Sequence, residues 1–149
     1  MDLLDLLPHR PPMRLLDEIV ELVPGRHAHA RRELRRDDFF FNGHFPDEPI
    51  VPAVVLVEMI AQAGGLAAGA PSGPGASSAQ PLRLRVAGLG PFKFPRAAAP
   101  GAQLDVQVRV AGHLGGLYKI EGEVKADGQL VAAGSVTLGA ADGPPAPAS

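Results

Sequence analysis

Two ionisable side chains stand in surroundings that do not suit them. His44 lies in Gly43-His44-Phe45-Pro46, just before a turn rich in proline and acid, and Glu58 follows fourteen residues later inside an almost wholly apolar run. Imidazole is the side chain best matched to proton transfer near neutral pH. A carboxylate among apolar neighbours must be paired, hydrogen-bonded or protonated, and burial favours the protonated form. Taken alone, the pair points to proton transfer and no further. A single histidine in a Pro-rich loop is more often structural than chemical.

The elements that must position them are readable from periodicity. Residues 50–70 (IVPAVVLVEMIAQAGGLAAGA) are apolar or small almost throughout, with Glu58 and, one helical turn on, Gln62 as the polar exceptions. Pro52 suits a first helical turn, and Gly64-Gly65 would loosen the end. A helix apolar on all sides is either buried at a domain centre or spans a membrane. The Ala/Gly content and the two polar residues favour the buried central helix. Residues 15–23 read as a strand, and residues 26–38 as a half-exposed, charge-dense one. Further on, Leu82, Leu84 and Val86 alternate with arginines, Leu104 to Val110 alternate with Asp105, Gln107 and Arg109, and Tyr118 to Val124 with lysines and glutamates. Asp127-Gly128 is a hairpin turn from which residues 130–138 return. The expected class is α+β, an antiparallel sheet wrapped around one buried helix.

Composition narrows the function. The chain has 149 residues, a formal net charge of −2, no Cys and no Trp. That length suits a single domain, expected over 1–141, with a disordered Pro/Ala-rich tail at 142–149 and a mobile Gly/Pro/Ser loop at 69–81. Without cysteine there is no disulfide frame, thiol nucleophile or zinc-finger site. The charge balance argues against nucleic acid as a partner, and the first residues carry no basic leader, so the expected compartment is the cytoplasm. His27-x-His29 puts two rings on one strand face, where metal binding is conceivable but a solvated face is the better reading, so no metal is expected. Arg31, Arg32, Arg35 and Arg36 either dock an acidic partner or form an ordinary charged surface. His9 and His113 carry no assignment.

The segment from Gly43 to Glu58 closely resembles the active-site stretch of the 3-hydroxyacyl-[acyl-carrier-protein] dehydratases, the FabZ-like enzymes. Their pattern is G-H-F-P-G-x-P-x-x-P-G-x-x-x-x-E, followed by Ala-Gln as at Ala61-Gln62. The opening Leu6-Leu7-Pro8-His9-Arg10-Pro11-Pro12 and the later Lys93-Phe94-Pro95-Arg96 with Pro100-Gly101 are similar too, so the resemblance covers about residues 3–139. It implies a hot-dog fold, and a homodimer, often a trimer of dimers, with sites at the dimer interface. His44 matches the family's catalytic histidine and Glu58 its catalytic carboxylate. Glutamate there is similar to the pure dehydratases, whereas the dehydratase/isomerases carry Asp. The Ala53 backbone N–H would hold the thioester oxygen, Gly43, Phe45 and Gln62 would surround the substrate, and Lys93 and Arg96 would dock the carrier. The substrate would be a 3-hydroxyacyl group on acyl carrier protein or coenzyme A, in fatty-acid, polyketide or related lipid synthesis, with no cofactor. The chain departs from the pattern at Asp47 and Ala53, where the family has Gly. Asp47 would be awkward if its turn required a positive φ.

The implied chemistry is loss of water from a 3-hydroxyacyl thioester, with His44 as base and Glu58 as acid, their roles open to exchange. Two alternatives remain, a hot-dog thioesterase and a non-catalytic acyl-binding subunit.

Overall fold

The computed structural model describes residues 2–75, 81 and 83–140. Alternating runs produce six strands: β1 (Glu18–Val23), β2 (His27–Glu33), β3 (Leu84–Lys93), β4 (Gln103–Leu114), β5 (Leu117–Ala126) and β6 (Gln129–Ala140). All pair antiparallel in one sheet of order β1-β2-β4-β5-β6-β3. The hairpin at Asp127-Gly128 joins β5 to β6, with φ of 49° and 85° as a tight two-residue turn requires. One long helix, α1 (Ala53–Gly69), lies across the concave face against β2, β4, β5 and β6. This is the expected hot-dog arrangement. Among the described residues, no helix is long and apolar enough to cross a membrane.

The helix is held close because both surfaces carry glycine. A Cβ on Gly122 of β5 would lie 2.7 Å from Ile60 Cγ2 and 3.0 Å from Val108 Cγ1, and one on Gly64 would lie 2.7 Å from Ile120 Cγ2. Gly64-Gly65 therefore does not loosen the helix end, as expected from propensity; α1 continues to Gly69. Tight packing on Ile120 outweighs a propensity cost of about 1 kcal/mol per glycine. Gly122→Ala should lower unfolding stability by roughly 1–3 kcal/mol, the usual cost of overpacking. Two β-branched side chains clamp the new methyl, and neither can swing away. An unchanged denaturant midpoint would show that Gly122 does not set the spacing between helix and sheet.

Other boundaries differ from expectation for local reasons. Pro52 is the residue before the helix, at φ −62° and ψ 141°, and the first helical residue is Ala53. The first strand starts at Glu18 rather than Leu15, because the Leu15 N–H is given to Gln62 and Leu15 and Leu16 are buried in the core. The second strand stops at Glu33, where the Leu34 N–H turns to the Ala102 carbonyl and Asp38 closes a turn back on Arg35. The opening leucines form a short 3-10 turn, Leu3–Leu6, whose Leu4 is buried. Leu82, residues 76–80 of the expected loop and the expected tail lie outside the described residues.

Candidate active site

His44 is held by a loop with few conformational choices. A 3-10 turn, Phe39–Phe41, buries Phe40 and Phe41, and the His44 N–H bonds the Phe41 carbonyl at 3.1 Å. Gly43 between them sits at φ +79°, left-handed backbone that favours glycine. Beyond His44, Phe45 and Glu48 exchange backbone hydrogen bonds across Pro46-Asp47, and the Ile50 N–H donates to the His44 carbonyl at 3.0 Å. Val51 is buried and its N–H bonds the Ala98 carbonyl, which ties the loop exit to the far connection.

This loop fixes the imidazole's proton. His44 Nδ1 lies 3.0 Å from the Ile50 carbonyl oxygen. A carbonyl can only accept, so the neutral ring carries its hydrogen on Nδ1 and presents Nε2 as a bare lone pair. Phe45 stacks on the ring with centroids 4.4 Å apart and is itself half exposed. Asp47 is not strained in its turn. The one non-glycine residue with a positive φ among the described residues is Asp127, so the departure from glycine at position 47 costs the backbone nothing.

Glu58 lies on the second turn of α1, and here the structure corrects an expectation. The apolar run suggested a buried carboxylate, yet the Glu58 side chain retains 31 % of its exposure. It shares the uncovered stripe of the helix with Val54, which is 75 % exposed. The residue that is buried is Gln62, at 2 %. Its Oε1 accepts from the Leu15 N–H at 3.0 Å, and its Nε2 donates to the Met13 carbonyl at 2.8 Å and to Glu58 Oε1 at 3.2 Å. Both amide hydrogens are thereby committed to the protein, so Gln62 orients Glu58 and has none left for a substrate. His9, unassigned from sequence, brings its Nε2 to 3.5 Å from the same Glu58 Oε1. Among the described residues, none bonds Glu58 Oε2.

As the first residue of α1, Ala53 has an N–H without an intrahelical acceptor, at the positive end of the helix dipole. The residue is exposed. The loop carrying His44 runs directly into it. No hydrogen bond or ion pair joins His44 to Glu58 within the chain, and each is fastened by its own surroundings. A groove of about 690 Å³ on the outward sheet face, lined by Phe92, Lys93, Arg109 and Glu121 among others, includes neither residue.

The basic residues divide clearly. Arg31 bonds Asp105, Arg32 is buried against Asp38 and Asp17 beneath the Phe40 ring, and Arg35 bonds Asp17. The hydrogen bond and charge of Asp17 raise the Arg35 pKa above its ordinary value. Partial burial pushes the Asp105 carboxyl up, but hydrogen bonds from His29 and Arg31 prevail and hold it below its usual range. Three of the four clustered arginines thus neutralise carboxylates of their own chain. Lys93 and Arg96 are exposed. His27 pairs with Glu21 and His29 with Asp105, so the two rings face different carboxylates. Among the described residues, no group of three His, Cys, Asp or Glu side chains is placed to hold a metal. His113 stacks on Tyr118, with centroids 4.1 Å apart.

A family model described as a FabA-like domain matches residues 7–135. The 3-hydroxyacyl-[acyl-carrier-protein] dehydratase FabZ of Myxococcus xanthus is 35 % identical over 133 residues, covering 89 % of this chain and 85 % of the relative. The enzyme of the same name from Anaeromyxobacter sp. is 36 % identical over 127 residues, covering 85 % and 80 %. Among solved structures, the dehydratase heterocomplex ApeI:P from Xenorhabdus doucetiae superposes with a TM-score of 0.77 at 21 % identity, covering 95 % of this chain and 92 % of that one. The E. coli PaaI protein of the phenylacetic acid degradation operon does so with a TM-score of 0.62 at 16 % identity, covering 85 % and 80 %. At such identities the structures speak for the fold alone. The family match runs from residue 7 through the His44 loop, α1 and most of the sheet, to residue 135, and this chain therefore belongs to the FabA-like family.

Proposed function

We propose that the protein removes water from a 3-hydroxyacyl thioester, carried on acyl carrier protein or coenzyme A, to leave the trans-2-enoyl thioester. The observation that supports this best is the His44 tautomer: Nδ1–H is spent on the Ile50 carbonyl, so Nε2 is free to accept a proton. Nε2 takes the C2 proton, and the electrons of that C–H bond become the C2=C3 double bond. As charge builds on the thioester oxygen, the Ala53 N–H and the helix dipole stabilise it. The C3–O bond breaks, and the departing oxygen takes the proton of Glu58 to leave as water. Gln62 and His9 both approach Glu58 Oε1, so the transferable proton belongs on Oε2. Passage of the His44 proton to Glu58 through solvent resets the site.

His44 and Glu58 share no hydrogen bond or ion pair within one chain. Each has an exposed apolar side chain near it in sequence, Phe45 at 51 % and Val54 at 75 %, and Leu89 on the sheet-edge strand β3 is 63 % exposed. We place a second copy against this surface, edge strand to edge strand, so that His44 of one protomer faces Glu58 of the other, with trimers of such dimers as the larger assembly. Lys93 and Arg96, exposed at and just beyond the end of β3, dock the acidic carrier. The test is ultraviolet absorbance of the enoyl thioester after mixing with 3-hydroxybutyryl and crotonyl thioesters, alongside a thiol assay. Growth of the enoyl band from the first substrate and its loss by hydration from the second are expected. Release of free thiol would assign a thioesterase instead, and no change in either signal would leave an acyl-binding subunit.

A further inference from the structure

We infer that His9 is a positioning residue for the proposed acid, a second donor that holds Glu58 by Oε1 and reserves Oε2 for the reacting proton. The placement is built rather than incidental. Leu7, two residues earlier, is buried and anchors the segment in the core. Arg10 Nη1 donates to the carbonyls of Leu7 and His9 at 2.7 and 2.8 Å, Arg14 Nε reaches the His9 carbonyl at 3.4 Å, and the Met13 and Arg14 N–H groups both bond the Arg10 carbonyl. The next residues, Met13 and Leu15, clasp the Gln62 amide. One short segment therefore delivers His9 to Glu58 and locks Gln62 against the same oxygen.

The two ring nitrogens differ. His9 Nδ1 is shielded from solvent and has no hydrogen-bond partner, while Nε2 lies 3.5 Å from Glu58 Oε1. In the neutral ring the hydrogen belongs on Nε2, because on Nδ1 it would be a buried donor without an acceptor. With Nδ1 closed off, the ring cannot pass a proton in at one nitrogen and out at the other. His9 is thus a fixed donor and not a shuttle. With the Gln62 N–H on Oε1 at 3.2 Å and His9 Nε2 3.5 Å from the same oxygen, the acidic proton is favoured on Oε2.

This inference rests on Glu58 being the acid, so its test has one arm that needs no turnover. Long-range proton–nitrogen correlation spectra of the imidazoles should show neutral His9 with its hydrogen on Nε2; a hydrogen on Nδ1 overturns the proposal whether or not the protein is a dehydratase. The second arm compares His9→Leu with His9→Gln in the intact protein. A glutamine amide nitrogen reaches about as far as Nε2 and keeps the donor; leucine fills the space and donates nothing. His9→Leu should lose roughly tenfold in kcat, about the cost of one neutral hydrogen bond, with KM little changed. His9→Gln should recover most of that loss at equal thermal stability. In a Glu58→Gln background, His9→Leu should cost almost nothing further, since its effect passes through the carboxyl group. A His9→Gln variant as impaired as His9→Leu, or a full tenfold loss on top of Glu58→Gln, would reduce His9 to packing.

Discussion

Glu58→Gln should cut turnover by roughly 100-fold or more, the usual loss when a general acid is removed, while the protein stays folded. The amide has nearly the carboxyl group's shape, and its oxygen can still accept the Gln62 N–H that now meets Glu58 Oε1 at 3.2 Å. What it lacks is a proton to give to the departing hydroxyl. The Glu58 side chain keeps 31 % of its exposure in the protomer, so the substitution strands no buried charge and has little reason to destabilise. Steady-state kcat on a 3-hydroxyacyl thioester, measured beside the thermal unfolding midpoint, separates the two effects. A variant that unfolds like wild type and turns over like it would remove Glu58 from the proton path.

The same carboxylate shows what the sequence could and could not disclose. A polar residue inside an apolar run was visible, and so was its spacing from His44, because both are local patterns. The assumption that an apolar run is buried all round was not safe. The stripe bearing Val54 and Glu58 is uncovered, and a linear pattern cannot tell which side of an apolar helix the chain itself covers. The hairpin at Asp127-Gly128 was legible for the opposite reason, since its backbone demand is met by the two residues themselves. Gln62 stood out as a polar residue, but the intrachain partners of its amide did not. Its amide is used by Met13 and Leu15, 49 and 47 residues away in sequence, and no local signal reports such a contact. His9 went unassigned for the same reason. The concern over Asp47 dissolved because the turn never asks it for a positive φ.

Co-refolding His44→Ala with Glu58→Ala should restore about a quarter of wild-type activity from two nearly inactive proteins. In a two-fold dimer whose sites each take His44 from one chain and Glu58 from the other, both homodimeric variants lack one group at every site. Random pairing of equal amounts makes about half of all dimers mixed, by the symmetry of the assembly. In each mixed dimer, one site joins the intact His44 of the first chain to the intact Glu58 of the second, and the other site carries both defects. One working site in two, in half the dimers, gives about a quarter. The outcome is decisive because His44 and Glu58 share no hydrogen bond or ion pair within the chain, and the adjacent Phe45 and the Val54 one turn before Glu58 are 51 % and 75 % exposed. If the two groups instead served one site from the same chain, every site in the mixture would still lack one of them and no activity would return. Tagging the two variants differently and purifying the doubly tagged species controls for failed exchange: mixed dimers verified in this way and still inactive would overturn the shared site.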